Sequence, residues 1–263
     1  MGLMIAKYLK IKSSTIIKAL ILLGLFLFSL PVLFTDARPV DFFQQAHRLI
    51  NDFFPPDYSV IHDLGNAVIE TLRISIISTI IGTVISIVLA VMASRQTAPL
   101  VLRTFIQGML IFIRTIPSLV LAVIAVALIG TSPTAGVLAL TIYSISYLGK
   151  FFQDILDTAD PRPALWLKSQ NLSRWQIFQF GYWPSLKASL YSKFFWMLEY
   201  NIRSASIIGY VGAGGIGVQL HIYQEFGQWR RFTAALLVIL VLVIFLEIIS
   251  QNIKKRTKHV RNS

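Results

Sequence analysis

Asp154-Ile-Leu-Asp-Thr-Ala-Asp-Pro-Arg-Pro-Ala-Leu-Trp-Leu-Lys-Ser-Gln-Asn-Leu-Ser-Arg-Trp-Gln-Ile-Phe-Gln-Phe-Gly-Tyr-Trp-Pro184-Ser-Leu186 is a polar, basic, proline-punctuated stretch set between long apolar runs. Connections in compact helical proteins are mostly short. One long basic loop with helical periodicity between hydrophobic runs reads as a handle for a partner on the cytoplasmic side of a membrane.

The flanking runs carry the membrane assignment. Of 263 residues, 55% are hydrophobic and 14% charged, against about 25% charged in a soluble domain. A span needs about 20 apolar residues, and six stretches approach that: 16–34, 67–92, 104–129, 133–151, 188–211 and 232–250. The expected fold is all-α and polytopic, with six transmembrane helices and no large soluble domain. Residues 1–66 form an N-terminal part, 67–251 a five-helix core with the cytoplasmic loop 152–187, and 252–263 a basic tail.

Charge sets the orientation. Lys7 to Lys18, Arg95 and Arg103, the cations between Lys150 and Lys193, and Lys254 to Arg261 all fall on one side. The other side holds Arg38, Arg48, Arg230 and Arg231. The positive-inside rule places both termini in the cytoplasm. It also accounts for the net charge of +12 without nucleic acid. The first run has an apolar core too long for a signal peptide and reads as an uncleaved span.

Several chemistries are excluded. Cysteine is absent, which removes disulfides, thiolate metal sites and cysteine nucleophiles. His47, His62, His221 and His259 are scattered without ligand spacing, so no metal site is expected.

In the outer loop 35–66, Phe42, Phe43, Ala46, Leu49, Ile50 and Phe53 recur at helical spacing before Pro55-Pro56. This is an amphipathic helix, either lying on the membrane surface or packed on the bundle. Residues Gly212-Ala-Gly-Gly-Ile-Gly217 satisfy G-x-G-x-x-G by letter. A dinucleotide site needs a strand before that motif and an acidic residue about 20 positions on; a membrane span precedes it here. Gly212, Gly214, Gly215 and Gly217 instead permit positive φ and close backbone approach, in a gate lining the substrate path or in a tight turn between packed helices.

Polar groups inside a span cost about 2.5–3.5 kcal/mol each on insertion scales. Glu199 and Arg203 are four apart, with Asn201 between them and Ser206 beyond. Glu70 and Arg73 are three apart. Arg114 and Thr115 precede Pro117 and Ser118, and Pro117 predicts a kink. Either these charges pair and lock the bundle, or Arg114 or Arg203 faces a water-filled path and attracts an anion. An arginine fork binds phosphate-like oxyanions bidentately.

Within the long loop, Ala159–Leu172 reads as one short helix opened by Asp160 as N-cap, with Pro161 and Pro163 in its first turn. Leu165, Trp166, Leu172 and Trp175 give an apolar face, Lys168 and Arg174 charge; Ser173 follows the helix, and Pro184 marks entry to the fifth span.

Taken together, Phe53-Phe-Pro-Pro-Asp-Tyr-Ser59, Gly136-Val-Leu-Ala-Leu140, Asp160-Pro-Arg-Pro163, Ser173-Arg-Trp-Gln176, Asn201-Ile-Arg-Ser-Ala-Ser206 and Val211-Gly-Ala-Gly-Gly-Ile-Gly-Val218 make the chain resemble the permease subunit of phosphonate- and phosphite-type ABC importers. The likeness covers most of residues 50–255. It implies a type I importer permease fold in a bacterial inner membrane and a homodimer with the substrate path between its copies. It further implies two cytoplasmic ATPase subunits gripping the loop as a coupling helix, and a periplasmic binding protein delivering a phosphonate, phosphite or related oxyanion. ATP and Mg would bind in the ATPase; no cofactor is expected in this chain. The family loop carries Glu-Ala-Ala and then Gly. Here Leu165-Trp166-Leu167 stands in the first place and Asn171 in the second. Asparagine is the next best residue for a left-handed turn. The missing glutamate means either a lost contact or one taken over by Asp157 or Asp160.

No Walker motif or carboxylate cluster is present, so the chain is not the ATPase. A permease for phosphate, methionine or another small anion is the neighbouring alternative. A self-sufficient channel or secondary transporter predicts inverted repeats and broken helices, and an intramembrane enzyme predicts a nucleophile–base pair; neither pattern is visible in the sequence.

Overall fold

The structure is a computed structural model describing the backbone of residues 2–33 and 41–262. Residues 34–40, with the end of the first expected span and Arg38, lie outside the described residues. So do Ser263 and the side chains of 1–14, 32–33, 188, 250 and 252–262, which include Lys7, Lys10, Lys12 and the basic tail. Every regular element among the described residues is helical, and the chain divides into two compact units, 1–51 and 52–263.

The first unit holds α1 (Gly2–Ser29) and most of α2 (Phe42–Phe53). The apolar stretch of α1, Thr15–Ser29, falls short of the length a span needs. Asp41 starts α2 by accepting the N–H groups of Phe43 and Gln44 at 3.1 and 3.3 Å. Phe42, Phe43, Leu49 and Ile50 of α2 are exposed.

The second unit contains α3 (Ile61–Ala93), α4 (Leu100–Thr115), α5 (Ser118–Ile129), α6 (Pro133–Thr158), α7 (Arg162–Ser169), α8 (Arg174–Ile177), α9 (Trp183–Ile208), α10 (Ile216–Glu225) and α11 (Trp229–Asn262). Among the described residues three helices are long and apolar enough to cross a membrane alone: Tyr58–Ala93, Pro133–Thr158 and Trp229–Ile249. The count rises to five if the bent pairs α4–α5 and α9–α10 are each one span. The expected third span, 104–129, is therefore not a kinked helix: α4 and α5 meet at 93°. Ile116 precedes Pro117, is pushed into the extended region (φ −85°, ψ 122°), and so ends α4 outright. Two further boundaries differ from expectation. α6 runs seven residues past 151, and the connection 212–231 contains α10. That helix stops in a Schellman turn, with Gly227 at φ +63° and the Gln228 N–H donating to the Tyr223 carbonyl at 2.8 Å.

α3 and α6 form the central seam. Thr71, Ser75, Ser78, Thr79, Gly82, Thr83 and Ser86 recur on one buried face of α3. In lipid no hydrophobic force drives helix against helix, so small side chains that allow close approach carry the association. A Cβ on Gly82 would sit 2.5 Å from the Ser144 Cβ. The buried hydroxyls return most of their hydrogen bonds to carbonyls one turn back. Ser78 and Ser86 also reach across to the Val137 and Ile145 carbonyls of α6, each at 3.2 Å. The opposite face of α3 exposes Ile76, Ile80, Val84 and Val88.

Candidate functional site

The loop after α6 presents side chains outward from a fixed base. Asp157, near the end of α6, accepts the Ser94 hydroxyl and the Arg95 N–H, both at 2.7 Å, and the Gln153 amide at 3.0 Å. Gln96 donates to the Ala159 carbonyl at 2.9 Å. The α3–α4 connection is thereby bound to the root of α7. Asp157 therefore fixes the base of the loop to the α3–α4 connection.

Asp160 bonds the start of α7 and stays exposed. Its carboxylate accepts the Arg162 backbone N–H at 3.0 Å and pairs with the guanidinium at 2.7 Å. These bonds from Arg162 hold the Asp160 carboxyl below its usual range. Pro161 and Pro163 lead into and occupy the first turn of α7. Ala164 is buried against Gly181 of the π-helical turn Phe178–Tyr182. Leu165 and Trp166 are 61% and 64% exposed, and Lys168 is exposed with them. Asn171 takes φ +59°, the left-handed conformation in which the resembling family places glycine. Ser173 and Gln176 then form a reciprocal capping box that starts α8. Arg174 and Trp175 are exposed, as is Pro184 in the first turn of α9.

The intramembrane polar residues separate into distinct roles. Asn201 is fully buried, its amide donating to Thr79 Oγ1 at 2.9 Å and Ser144 Oγ at 2.8 Å. It ties α3, α6 and α9 together and presents no open surface. Ser206 is buried and donates to the Ile202 carbonyl at 3.2 Å. Arg203 pairs with Glu199 at 3.1 Å, the arginine 51% and the glutamate 14% exposed. Arg114, exposed in the last turn of α4, has no carboxylate within ion-pair distance among the described residues and lies 4.3 Å from the Tyr147 ring centroid. Thr115 turns its hydroxyl back to the Phe112 carbonyl at 2.7 Å, and half-buried Ser118 opens α5.

The glycine run is pinned from α3. Gly212, Gly214 and Gly215 hold φ of +85°, +83° and +75°. Glu70 Oε1 accepts the Gly215 N–H, and Thr71 Oγ1 the Ile216 N–H, both at 2.8 Å. Glu70 thus serves the turn, and no ion pair with Arg73 is found among the described residues. Gly217 packs where a side chain would strike the Ser206 carbonyl oxygen. The Phe53–Ser59 motif is explained nearby: Phe53 stacks on Trp229 at 5.2 Å, and Asp57 bonds Ser59 and pairs with Arg231 at 3.2 Å. These donors, Ser59 foremost, hold the Asp57 carboxyl low. Glu70, Thr71, Asp57 and Asp157 were not readable as anchors, because their partners lie 62 to 174 residues away.

Residues 82–259 match the model of the family described as binding-protein-dependent transport system inner membrane component. The phosphite transport system permease protein PtxC of Stutzerimonas stutzeri is 32% identical over 80% of this chain and 77% of its own length. The phosphate-import permease protein PhnE of Mycolicibacterium smegmatis is 31% identical over 84% of this chain but 42% of its own length. Among solved structures, an inward-facing MetNI methionine ABC transporter chain superposes with TM-score 0.66 at 18% identity, covering 76% of this chain and 99% of that one. An amino acid ABC transporter chain does so with TM-score 0.56 at 18% identity, covering 77% and 100%. The fold is that of a type I ABC importer permease, and the chain belongs to the binding-protein-dependent transport system inner membrane component family.

Proposed function

We propose that this chain is the transmembrane subunit of an ATP-driven importer for phosphite, phosphonate or a related phosphorus oxyanion. The observation that carries the reading is the 32% identity to a phosphite permease across four-fifths of the chain. The geometry of α7 agrees with it. A short capped helix with an exposed Leu165–Trp166 face, rooted through Asp157 in the base of the bundle, is the shape a groove in a separate ATPase would grip. Asp160, Pro161, Pro163, Lys168, Asn171, Ser173, Arg174 and Pro184 set or flank that grip. The complex is read as two copies of this chain, two cytoplasmic ATPases holding ATP and Mg, and a periplasmic binding protein, with both termini cytoplasmic in a six-span topology.

On this reading ATP binding draws the two α7 helices together. The rigid α6 and α9 that flank the loop carry the movement to the path between the copies. Arg114 is the leading path cation, because among the described residues no carboxylate pairs with it as Glu199 pairs with Arg203. The glycine turn 212–217 closes the outer end as a fixed corner.

Vesicles test this directly. The chain reconstituted with its cognate ATPase and binding protein should take up phosphite only with ATP, and the chain alone should take up none. Phosphite uptake by the chain alone would remove the importer-subunit reading, and uptake of phosphate in place of phosphite would reassign the substrate.

A further inference from the structure

A groove beside the root of the loop has one apolar wall and one wall that begins with a cation. Val84, Ile87, Val88, Val91 and Met92 fall at i, i+3, i+4, i+7 and i+8, which is one face of the last turns of α3. On the neighbouring face Gly82, Thr83 and Ser86 are buried. The end of α3 thus divides into a side that packs on a helix and an apolar side left open, with Val84 and Val88 exposed. The facing wall is the helical run that starts at α8 and passes through Phe178–Tyr182 into α9. Trp175, Phe178 and Trp183 stand along it as a chain of rings, with centroids 5.9 and 6.1 Å apart. Arg174 begins the run. Arg174 and Gln179, both exposed, line the groove with the rings. The space between the walls is about 770 Å³, and no acidic residue lines it.

Depth, length and charge all bear on what fills this space. The apolar wall belongs to Tyr58–Ala93, a helix long and apolar enough to cross a membrane alone, so its open side faces lipid and not a soluble protein. Val84 to Met92 covers about 12 Å along the axis, close to the roughly 15 Å of hydrocarbon in one leaflet. Tryptophan favours the level where hydrocarbon gives way to headgroups. The polar groups at the loop end are the Arg174 fork, the Gln179 amide and the indole N–H groups, and an arginine fork holds a phosphate bidentately. A zwitterionic headgroup would find no carboxylate in this wall for its ammonium; an anionic one needs none.

We propose that the groove between α3 and the α8–α9 run binds one anionic phospholipid from the leaflet on the α7 side, with an acyl chain along Val84–Met92 and the headgroup phosphate at Arg174. The site goes beyond the transport reading: it rests on the chain lying in a bilayer, and not on the anion carried. Asp157 already fixes the α7 end of the loop to the α3–α4 connection. The lipid would fix the α8 end to α3.

Brominated lipids test this through tryptophan emission. The full chain is reconstituted in phosphatidylcholine vesicles holding rising fractions of phosphatidylglycerol or of phosphatidylcholine with brominated chains. Quenching by phosphatidylglycerol should reach half its limit at about fivefold lower mole fraction. Replacing Trp175 and Trp183 by Phe should remove that lipid-specific part and leave the rest. Arg174→Gln should abolish the preference, Arg174→Lys should keep part of it, and Val88→Phe should weaken it by narrowing the groove. Lys168→Gln, outside the groove, should leave it intact. An Arg174→Gln titration that overlays the native one, or an equal loss in Lys168→Gln, overturns the site. So does a preference that survives Val88→Phe unchanged and is displaced by free glycerol phosphate, which would mean a headgroup anion bound without its chain. If Arg174→Gln keeps the lipid preference but loses the ATPase from the complex, the groove belongs to that partner and the lipid site falls. Absence of phosphite uptake would remove the transport reading and leave this site standing, since no step of the test uses transport.

Discussion

The glycine turn between α9 and α10 and the loop that carries α7 are both connections between helices, and they are built in opposite ways. In the turn the backbone is buried, its N–H groups are taken by Glu70 and Thr71, and Gly136, Gly209, Gly214 and Gly217 leave no room for a Cβ. In the α7 loop the root and the Ala164 face are bound, while Leu165, Trp166 and Trp175 stay exposed. A corner that must not move is made from backbone contacts that any added atom disrupts. The surface proposed for an ATPase to grip is made from exposed side chains on a helix whose other face is packed. The contrast makes substitutions in the turn affect stability, and substitutions on α7 affect coupling.

The largest loss of stability is expected at Gly217→Ala. Its Cβ would meet a backbone oxygen, not the end of a flexible side chain, so α9 and α10 must part. Overpacking of this kind costs about 3 kcal/mol, read as a lowered melting temperature in detergent and lowered yield. Tolerance of alanine there would mean that the corner is soft and the contrast with α7 is wrong. Glu70→Leu comes next. It removes the acceptor of the Gly215 N–H without changing the turn's shape, and an unmet buried donor costs about 1–3 kcal/mol. Glu70→Gln keeps an oxygen in place and should retain most of that stability.

A smaller effect is expected from acid. The folded-state pKa of Asp57 is depressed. Its contribution is therefore complete above the unfolded value of about 3.9 and is lost as pH falls through the lower, folded value. The gap in melting temperature between the native protein and Asp57→Asn should hold near neutrality and close below about pH 4. A gap that persists in acid would show that the Asp57–Arg231 contact contributes nothing through charge.

How much of this was legible in the sequence follows from the range of each interaction. The short helix after α6 and the left-handed Asn171 depend on residues within a turn of one another, and local chemistry fixes them; the helix is nevertheless shorter than the expected 159–172, running Arg162–Ser169 with Pro161 and not Asp160 as its N-cap. Pro117 was legible as a breaker, but not the 93° it produces, because the angle depends on what α4 and α5 pack against. α10 was hidden: ten residues flanked by glycine at both ends resemble a loop until Ile216, Leu220 and Tyr223 find Val60, Leu64 and Ala234. Asn201 and Glu70 could be flagged as polar groups in membrane segments, yet only the folded chain separates a clamp from a path residue. Asn201 bonds Thr79 across 122 residues, and Glu70 bonds Gly215 across 145. The four-residue spacing of Glu199 and Arg203 sets Arg203 apart from Arg114 in the sequence, and the two side chains do meet, at 3.1 Å.

Trp166→Glu should have the smallest effect on stability, and it sharpens the contrast most. The indole is 64% exposed, and its removal opens no cavity in the bundle. The change in melting temperature should correspond to no more than about 0.5 kcal/mol, the range of surface substitutions. On the proposed assembly, two copies should still associate, since no root contact of α7 is touched. On the proposed grip, stimulation of ATP hydrolysis should nevertheless be lost, because a charge would replace the aromatic anchor, and anchors of this type dominate interface energies. Trp166→Phe separates the two properties of the side chain: it keeps the apolar ring, loses the indole N–H, and should retain part of the coupling. If Trp166→Glu hydrolyses ATP normally in the assembled complex, the grip lies elsewhere on the loop. Trp175 and Arg174, exposed on α8 beyond the Asn171 turn, are then the positions to change, and α7 becomes a spacer that sets where they stand.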